Sequence, residues 1–200
     1  VHPSSANILG LYERHAQAYD RDRGRGLFER SWLDRFRALM TPEATVLDLG
    51  CGMGEPIARY LIESGHHVTG IDGAPTLIDL CRARFPDHEW IVGDMRRIGL
   101  GRAFGGILAW DSFFHLTADD QRAMFSIFRD HAASGAALMF TSGPAQGEAI
   151  GTYQDEALYH ASLDAAEYRS LLDANGFKVL DHTVEDIACG GHTVWLAQRG

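Results

Sequence analysis

A chain of 200 residues can bury one full core without disulfides or metals, and its length predicts a single domain. Acidic residues outnumber basic ones, 27 to 18, and the formal charge of -9 has the wrong sign for gripping a phosphate backbone, which disfavours nucleic-acid substrates. No apolar run approaches the roughly eighteen residues that span a bilayer and no charged-then-apolar leader opens the chain, so the expectation is a soluble, cytoplasmic protein with no membrane partner.

Apolar residues recur at helical spacing from Ser4 to about Tyr19 and again from about Leu27 to Met40, with the polar, glycine-containing stretch Asp20 to Gly26 between them. Two helices joined by a loop are therefore predicted ahead of the main fold. Thr45 to Leu49 is a compact apolar run ending at a glycine cluster, with Pro56 near the first turn of the next helix, and predicts strand, turn and helix. The alternation continues with strand His67 to Ile71, helix Ala74 to Arg84, and strands Glu89 to Val92 and Phe104 to Trp110. Helix Ala118 to His131 and strand Ala136 to Thr141 follow. Asp164 and Glu167 have capping-box spacing, with Leu163 and Tyr168 placed as a hydrophobic staple, and Asn175-Gly176 stops that helix. Phe177 to Val184 and His192 to Gln198 have no helix between them and should pair as an antiparallel hairpin across Asp186 to Gly191. Repeated strand and helix units predict an α/β fold, a mostly parallel sheet covered on both faces.

The strongest chemical signal is Val46-Leu47-Asp48-Leu49-Gly50-Cys51-Gly52-Met53-Gly54, where a strand must turn sharply into a helix while its backbone stays close to a ligand. Eighteen residues beyond Gly54, the strand Val68 to Asp72 ends in an acid suited to a ribose diol. A further acid, Asp94 in Gly93-Asp94-Met95, closes the third strand, where it can accept from an adenine amino group while Met95 packs on the ring. The glycines lack the final spacing of the dinucleotide fingerprint, and neither a Tyr-x-x-x-Lys pair nor a Gly-Lys-Ser/Thr loop is present. Lys178 is the chain's one lysine. A nicotinamide-binding alternative stays open on these features.

Val46 to Gly54, Asp72, Asp94 and the strand end Ala109-Trp110-Asp111 together resemble the successive motifs of class I S-adenosylmethionine-dependent methyltransferases. The resemblance covers the chain from about residue 44 to the terminal hairpin. It implies a Rossmann-like sandwich with a seven-stranded sheet in the order 3-2-1-4-5-7-6, strand 7 antiparallel. It also implies a cofactor, S-adenosylmethionine, whose methionine part rests on Gly50, Cys51 and Gly52, whose ribose meets Asp72, and whose adenine meets Asp94 and Met95. Asp48, Gly73, Trp110 and Tyr19 complete the expected cofactor contacts.

The expected reaction is in-line transfer of the methyl group to a small-molecule acceptor, in which the protein mainly aligns the nucleophile and excludes water. Asp111 and His115, in Ala109-Trp110-Asp111-Ser112-Phe113-Phe114-His115, are the candidate catalytic residues, with His115 as base. The alternative is that His115 only caps a helix or packs beneath the loop. Residues 1–43, with Tyr12, Tyr19, Arg25 and Trp32, and the loop from Ser142 through Tyr159 are lid candidates. Three scattered cysteines and the dispersed His160, His182 and His192 lack metal-ligand spacing, so no metal is expected, and Cys51 is not read as a nucleophile. A cofactor-binding protein without catalysis is the rival of another class, and the oligomer expectation is monomer or homodimer.

Overall fold

A computed structural model describes residues 2–200. Strands β1 (Thr45–Leu49), β2 (His67–Asp72), β3 (Glu89–Val92), β4 (Phe104–Ala109) and β5 (Ala132–Ser142) run parallel. After β5 comes a separate antiparallel hairpin, β6 (Gly147–Tyr153) and β7 (Glu156–Ser162), and then β8 (Phe177–Asp186) and β9 (His192–Arg199). The main sheet has the order β3-β2-β1-β4-β5-β9-β8, with β9 antiparallel to both of its neighbours. With the β6–β7 hairpin set aside, this is the expected seven-stranded order.

Alternation along each strand sends side chains to two separate cores. Val46, Val68 and Leu108 face one side, under α3 (Arg30–Ala38), α4 (Ile57–Glu63) and α5 (Pro75–Arg84). Leu47, Leu49 and Ile107 face the other, where Phe113, Phe125, Phe128, Phe140, Tyr168 and Trp195 pack beneath α6 (Ala118–His131) and α7 (Ala165–Ala174). Thr117 caps α6 by accepting from the Asp120 N–H (3.2 Å), and two acids in that first turn complement the helix dipole. Asp164 caps α7 through the Ala166 N–H (2.8 Å). Glu167 does not close the expected capping box; it turns to Arg122 (2.6 Å).

Three expectations need correction. The helix predicted over Ser4 to Tyr19 is a 3₁₀ turn (Pro3–Asn7) and two short helices, α1 (Ile8–Arg14) and α2 (Ala16–Asp22), broken at His15. The predicted loop from Ser142 through Tyr159 is largely the β6–β7 hairpin, whose two-residue turn places Gln154 and Asp155 at φ 48° and 63°. Trp32 is not a lid residue: it is 2% exposed in the core, and its indole N–H donates to Asp186 (2.8 Å).

The N-terminal segment, of which Val1 lies outside the described residues, is fastened at both ends of the cleft it covers. Glu13 accepts from the Thr76 hydroxyl (2.7 Å) and N–H (2.9 Å) at the start of α5, while Arg14 and His15 both engage Glu156 of β7. No helix among the described residues is long and apolar enough to cross a membrane.

Candidate active site

The carboxyl ends of β1, β2, β3 and β4 open onto a cleft of about 820 Å³, with a smaller lobe of about 320 Å³ beside it. Such crevices at strand ends are where open α/β sheets hold ligands. Tyr19, Gly50 and Asp111 line both lobes, so these three residues stand at the waist between them.

The turn after β1 needs its glycines. Gly50, Gly52 and Gly54 all have positive φ (76°, 56° and 78°). A Cβ on Gly50 would run into the Ser112 side chain, and one on Gly52 would sit 3.2 Å from the Tyr19 ring. The Asp72 carboxylate braces the turn, accepting from the Gly52 N–H (2.9 Å) and from the Ala74 N–H (2.9 Å). Burial pushes the Asp72 pKa up, against those amide contacts, and burial together with the Asp72 charge lifts Asp48 to about 7. Burial also drives the Cys51 thiol well above its ordinary range, the wrong direction for a nucleophile.

The larger lobe is walled by Leu9, Ile71, Leu77 and Met95, with Asp72 and Asp94 on its rim. Gly73 is where α1 closes over it, since Leu9 lies against the bare Cα. Asp94 is already gripped by Arg96 (2.6 Å), which also reaches Asp120 (3.0 Å) and holds the Asp94 carboxyl below its usual range. The smaller lobe has a different character. Arg23, Asp48, Glu55 and Trp110 line it, and the buried Trp110 indole N–H has no protein partner.

An apolar lobe rimmed by two acids fits a nucleoside. A lobe that offers a guanidinium and an unpartnered N–H opposite carboxylates fits an amino-acid zwitterion. The residues present therefore fit a ligand that carries both halves joined across the waist.

Asp111 reaches that waist through backbone strain. Its φ of 49° is left-handed, unusual for a non-glycine residue, and its N–H donates to the Thr141 hydroxyl (2.9 Å). His115 is 6% exposed and both of its ring nitrogens are engaged. Nδ1 lies 2.8 Å from the Tyr159 main-chain oxygen, which can only accept, so Nδ1 carries the proton. Burial lowers the His115 pKa to about 4, leaving a neutral ring whose Nε2 accepts from the Tyr12 hydroxyl (2.9 Å). The ring packs against His160 (centroids 4.8 Å apart), and Tyr12 meets Tyr19 edge-on (5.4 Å) and stacks with Tyr153 (6.3 Å).

The structure thus brings together Tyr19, Asp48, Gly50, Cys51, Gly52, Asp72, Gly73, Asp94, Met95, Trp110, Asp111 and His115 around the two lobes. Arg25 falls outside them, on a separate surface groove with Glu55 and Arg59, and bonds to Asp20 (2.7 Å). Sequence reasoning missed Arg23 and Tyr153, and gave Tyr12 no specific partner. Arg23 lay in a run of polar residues with no pattern, and Tyr153 belongs to the unpredicted hairpin. Among the described residues, no group of three or more His, Cys, Asp or Glu side chains is placed to hold a metal ion. His160 packs in the aromatic cluster, His182 stacks on Trp195 (3.5 Å), and His192 pairs with Asp111.

Fold and site define a Rossmann-like protein whose two lobes fit a nucleoside joined to a charged tail. Residues 46–135 match a protein family described as a methyltransferase domain. The chain is 28% identical over 136 residues to a malonyl-[acyl-carrier protein] O-methyltransferase of Serratia marcescens, covering 67% of this chain and 52% of that protein. It is 30% identical over 102 residues to a dTDP-3-amino-3,4,6-trideoxy-alpha-D-glucopyranose N,N-dimethyltransferase of Streptomyces venezuelae, covering 50% and 43%. The chain spans about half the length of the curated relatives it matches. In three dimensions it resembles CalS10, an amino pentose methyltransferase from Micromonospora echinaspora solved with S-adenosylmethionine bound. That match has a TM-score of 0.72 at 19% identity, over 94% of this chain and 96% of the other. The matched domain and the structural likeness support placing the chain with the class I S-adenosylmethionine-dependent methyltransferases.

Proposed function

We propose that the protein transfers a methyl group from S-adenosylmethionine to a small-molecule acceptor seated between Tyr12, Asp111 and His115. The single observation that carries this reading is the waist at Asp111, where a nucleoside-shaped lobe and a zwitterion-shaped lobe meet. Asp72 would hold the ribose, Asp94 and Met95 the adenine, Gly50 to Gly52 the chain between, and Arg23 with the Trp110 N–H the carboxylate. Arg96 would have to share Asp94 with the adenine amino group. When bound, the cofactor supplies a methyl already made electrophilic by its sulfonium, so no protein group is needed to activate it.

What remains for the chain is alignment, exclusion of water and disposal of one proton. The N-terminal segment through α2 acts as the lid, rather than all of residues 1–43, since Leu9 and Tyr12 roof the larger lobe and Tyr19 the waist while α3 packs in the core. The acceptor's proton passes to the Tyr12 oxygen as the Tyr12 phenol proton moves to Nε2 of His115. In this reading His115 is the final proton acceptor and Tyr12 the group that touches the substrate. Amine and hydroxyl acceptors both suit this relay, as do the N- and O-methyl transfers named for the two relatives.

Isothermal titration calorimetry with S-adenosylhomocysteine, with NAD and NADP as controls, tests the cofactor. Micromolar binding of S-adenosylhomocysteine alone is expected. Nicotinamide binding in its place would overturn the assignment.

A further inference from the structure

His192, at the start of β9, has a geometry that neither cofactor binding nor the proton relay uses. Its Nδ1 lies 2.7 Å from the Cys189 main-chain oxygen, and its Nε2 forms an ion pair with Asp111 Oδ1 at 2.8 Å, a close charge contact outside hydrogen-bond alignment that is the buried Oδ1's one partner. Both neighbours are acceptors. A neutral imidazole that donates Nδ1–H to Cys189 would turn a bare lone pair toward the Asp111 carboxylate, so with Asp111 ionised the arrangement favours the doubly protonated ring. That ring packs against two aromatic rings, Trp110 (5.5 Å, 29°) and Phe28 (5.4 Å, 30°), where a cation is favoured and a neutral ring gains less.

Phe28 belongs to the loop that joins α2 to α3 and is 40% exposed; what holds it is this stack, its contact with Gly190 and the Arg23 guanidinium of its own segment, 5.7 Å from the ring centre. The same loop carries Arg23, which lines the smaller lobe and pairs with the fully buried Glu29 (2.6 Å). The charged and titratable groups around His192 are Asp111 after β4, Glu29 from the N-terminal segment with Arg23 paired to it, Asp186 at the end of β8 as the register partner of His192, and Cys189 from the turn before β9. The Asp111 contact raises the His192 pKa above the ordinary histidine value against the effect of burial.

We propose that His192, as an imidazolium, is a positioning residue that fixes Asp111 at the waist of the cleft and, by stacking beneath Phe28, latches the Arg23 to Glu29 loop over the smaller lobe. Because the charged form is the one that fits, the latch holds below the pKa of folded His192 and is released as pH rises through it. The consequence for ligand affinity rests on the methyltransferase reading; the latch itself does not.

Two readouts on the full chain test it without any turnover. In nitrogen-15 spectra of histidine-labelled protein, the resonances missing from His192→Phe should show both ring nitrogens protonated, with a midpoint above the free-histidine value of about 6.5. Asp111→Asn should lower that midpoint. Trypsin cleavage after Arg23 and Arg25 should be about three- to tenfold faster in His192→Phe than in the wild type at pH 6.5. The difference should vanish once pH passes the wild-type midpoint. His192→Phe keeps the aromatic stack, so its folding is checked by an unchanged circular dichroism spectrum; His192→Gln, which can still donate to Asp111, should be cleaved at an intermediate rate. A neutral His192 at pH 6, or cleavage equal in all three proteins, would overturn the latch. The S-adenosylhomocysteine affinity of the wild type should weaken through the same midpoint. Failure of that ligand to bind at any pH would overturn the cofactor reading while leaving the spectra and cleavage rates to decide the latch.

Discussion

The two sides of the cleft are built differently. The side formed by the turns after β1, β2 and β3 is made largely of backbone: positive-φ glycines, amide N–H groups and one carboxylate, Asp72, that braces the turn. The opposite side is made of side chains brought from far apart, with Tyr12 of α1 bonded to His115 after β4, and His115 in turn bonded to the main chain of Tyr159 on β7. A backbone site tolerates little variation in the residues that make it. A site assembled from side chains can be rebuilt for another substrate without disturbing the sheet.

The sharpest way to break this comparison is at Gly50. Gly50→Val should cost about 3 kcal/mol or more, because left-handed backbone strain adds to a collision with Ser112, and it should abolish S-adenosylhomocysteine binding. Gly135→Ala is the control. Gly135 has almost the same φ, 77°, but open space around it, so about 1 kcal/mol is expected, with ligand affinity unchanged. Urea unfolding and calorimetry on both variants decide the matter. Equal losses would mean that the turn is not a close-contact cradle.

The acceptor side responds to acid. His115 is buried with its pKa lowered to about 4, against an unfolded value of about 6.5. The unfolded chain therefore takes up that proton first. Stability tied to His115 is complete above about pH 6.5 and is lost as pH falls toward 4, by up to about 3 kcal/mol. His115→Gln keeps a donor for Tyr159 and an acceptor for Tyr12 but cannot titrate. Its unfolding free energy should fall less steeply than that of the wild type over this range, and parallel curves would show that His115 is not buried neutral.

Asp72→Ala probes the cofactor side more gently. It should weaken S-adenosylhomocysteine binding by about 1.5 to 3 kcal/mol in folded protein, the scale of hydrogen bonds to a charged group. Unchanged affinity measured by calorimetry would remove Asp72 from the site.

The same division explains what could be read from the chain alone. The turn Gly50 to Gly54 and the acids Asp72 and Asp94 are local signals, each set by what the backbone does within a few residues, and the structure places all of them on the cleft. The alternating elements foretold a mostly parallel sheet with a terminal antiparallel hairpin, and the strand order itself came from the family resemblance. The β6–β7 hairpin was illegible for a local reason. Its turn uses Gln154-Asp155 where an Asn-Gly pair would have announced it, and β6 is mostly exposed, so no apolar alternation marks it. Without the hairpin, the partners of Tyr12, His115 and Tyr153 were invisible, since 103 residues separate Tyr12 from His115.

The smallest expected change in ligand affinity carries the finest distinction. Tyr12→Phe removes one hydroxyl, that which donates to His115, and keeps the ring against Tyr19 and Tyr153. Losing that bond should lower stability by only about 1 kcal/mol. If the two sides are separable, S-adenosylhomocysteine affinity should stay within about twofold of wild type. Methyl transfer to whichever acceptor a screen identifies should fall by about 100-fold, the lower end of what a positioned proton acceptor contributes. A large loss of S-adenosylhomocysteine affinity in Tyr12→Phe would instead mean that the side-chain network also shapes the cofactor lobe, and the two sides would have to be treated as one unit.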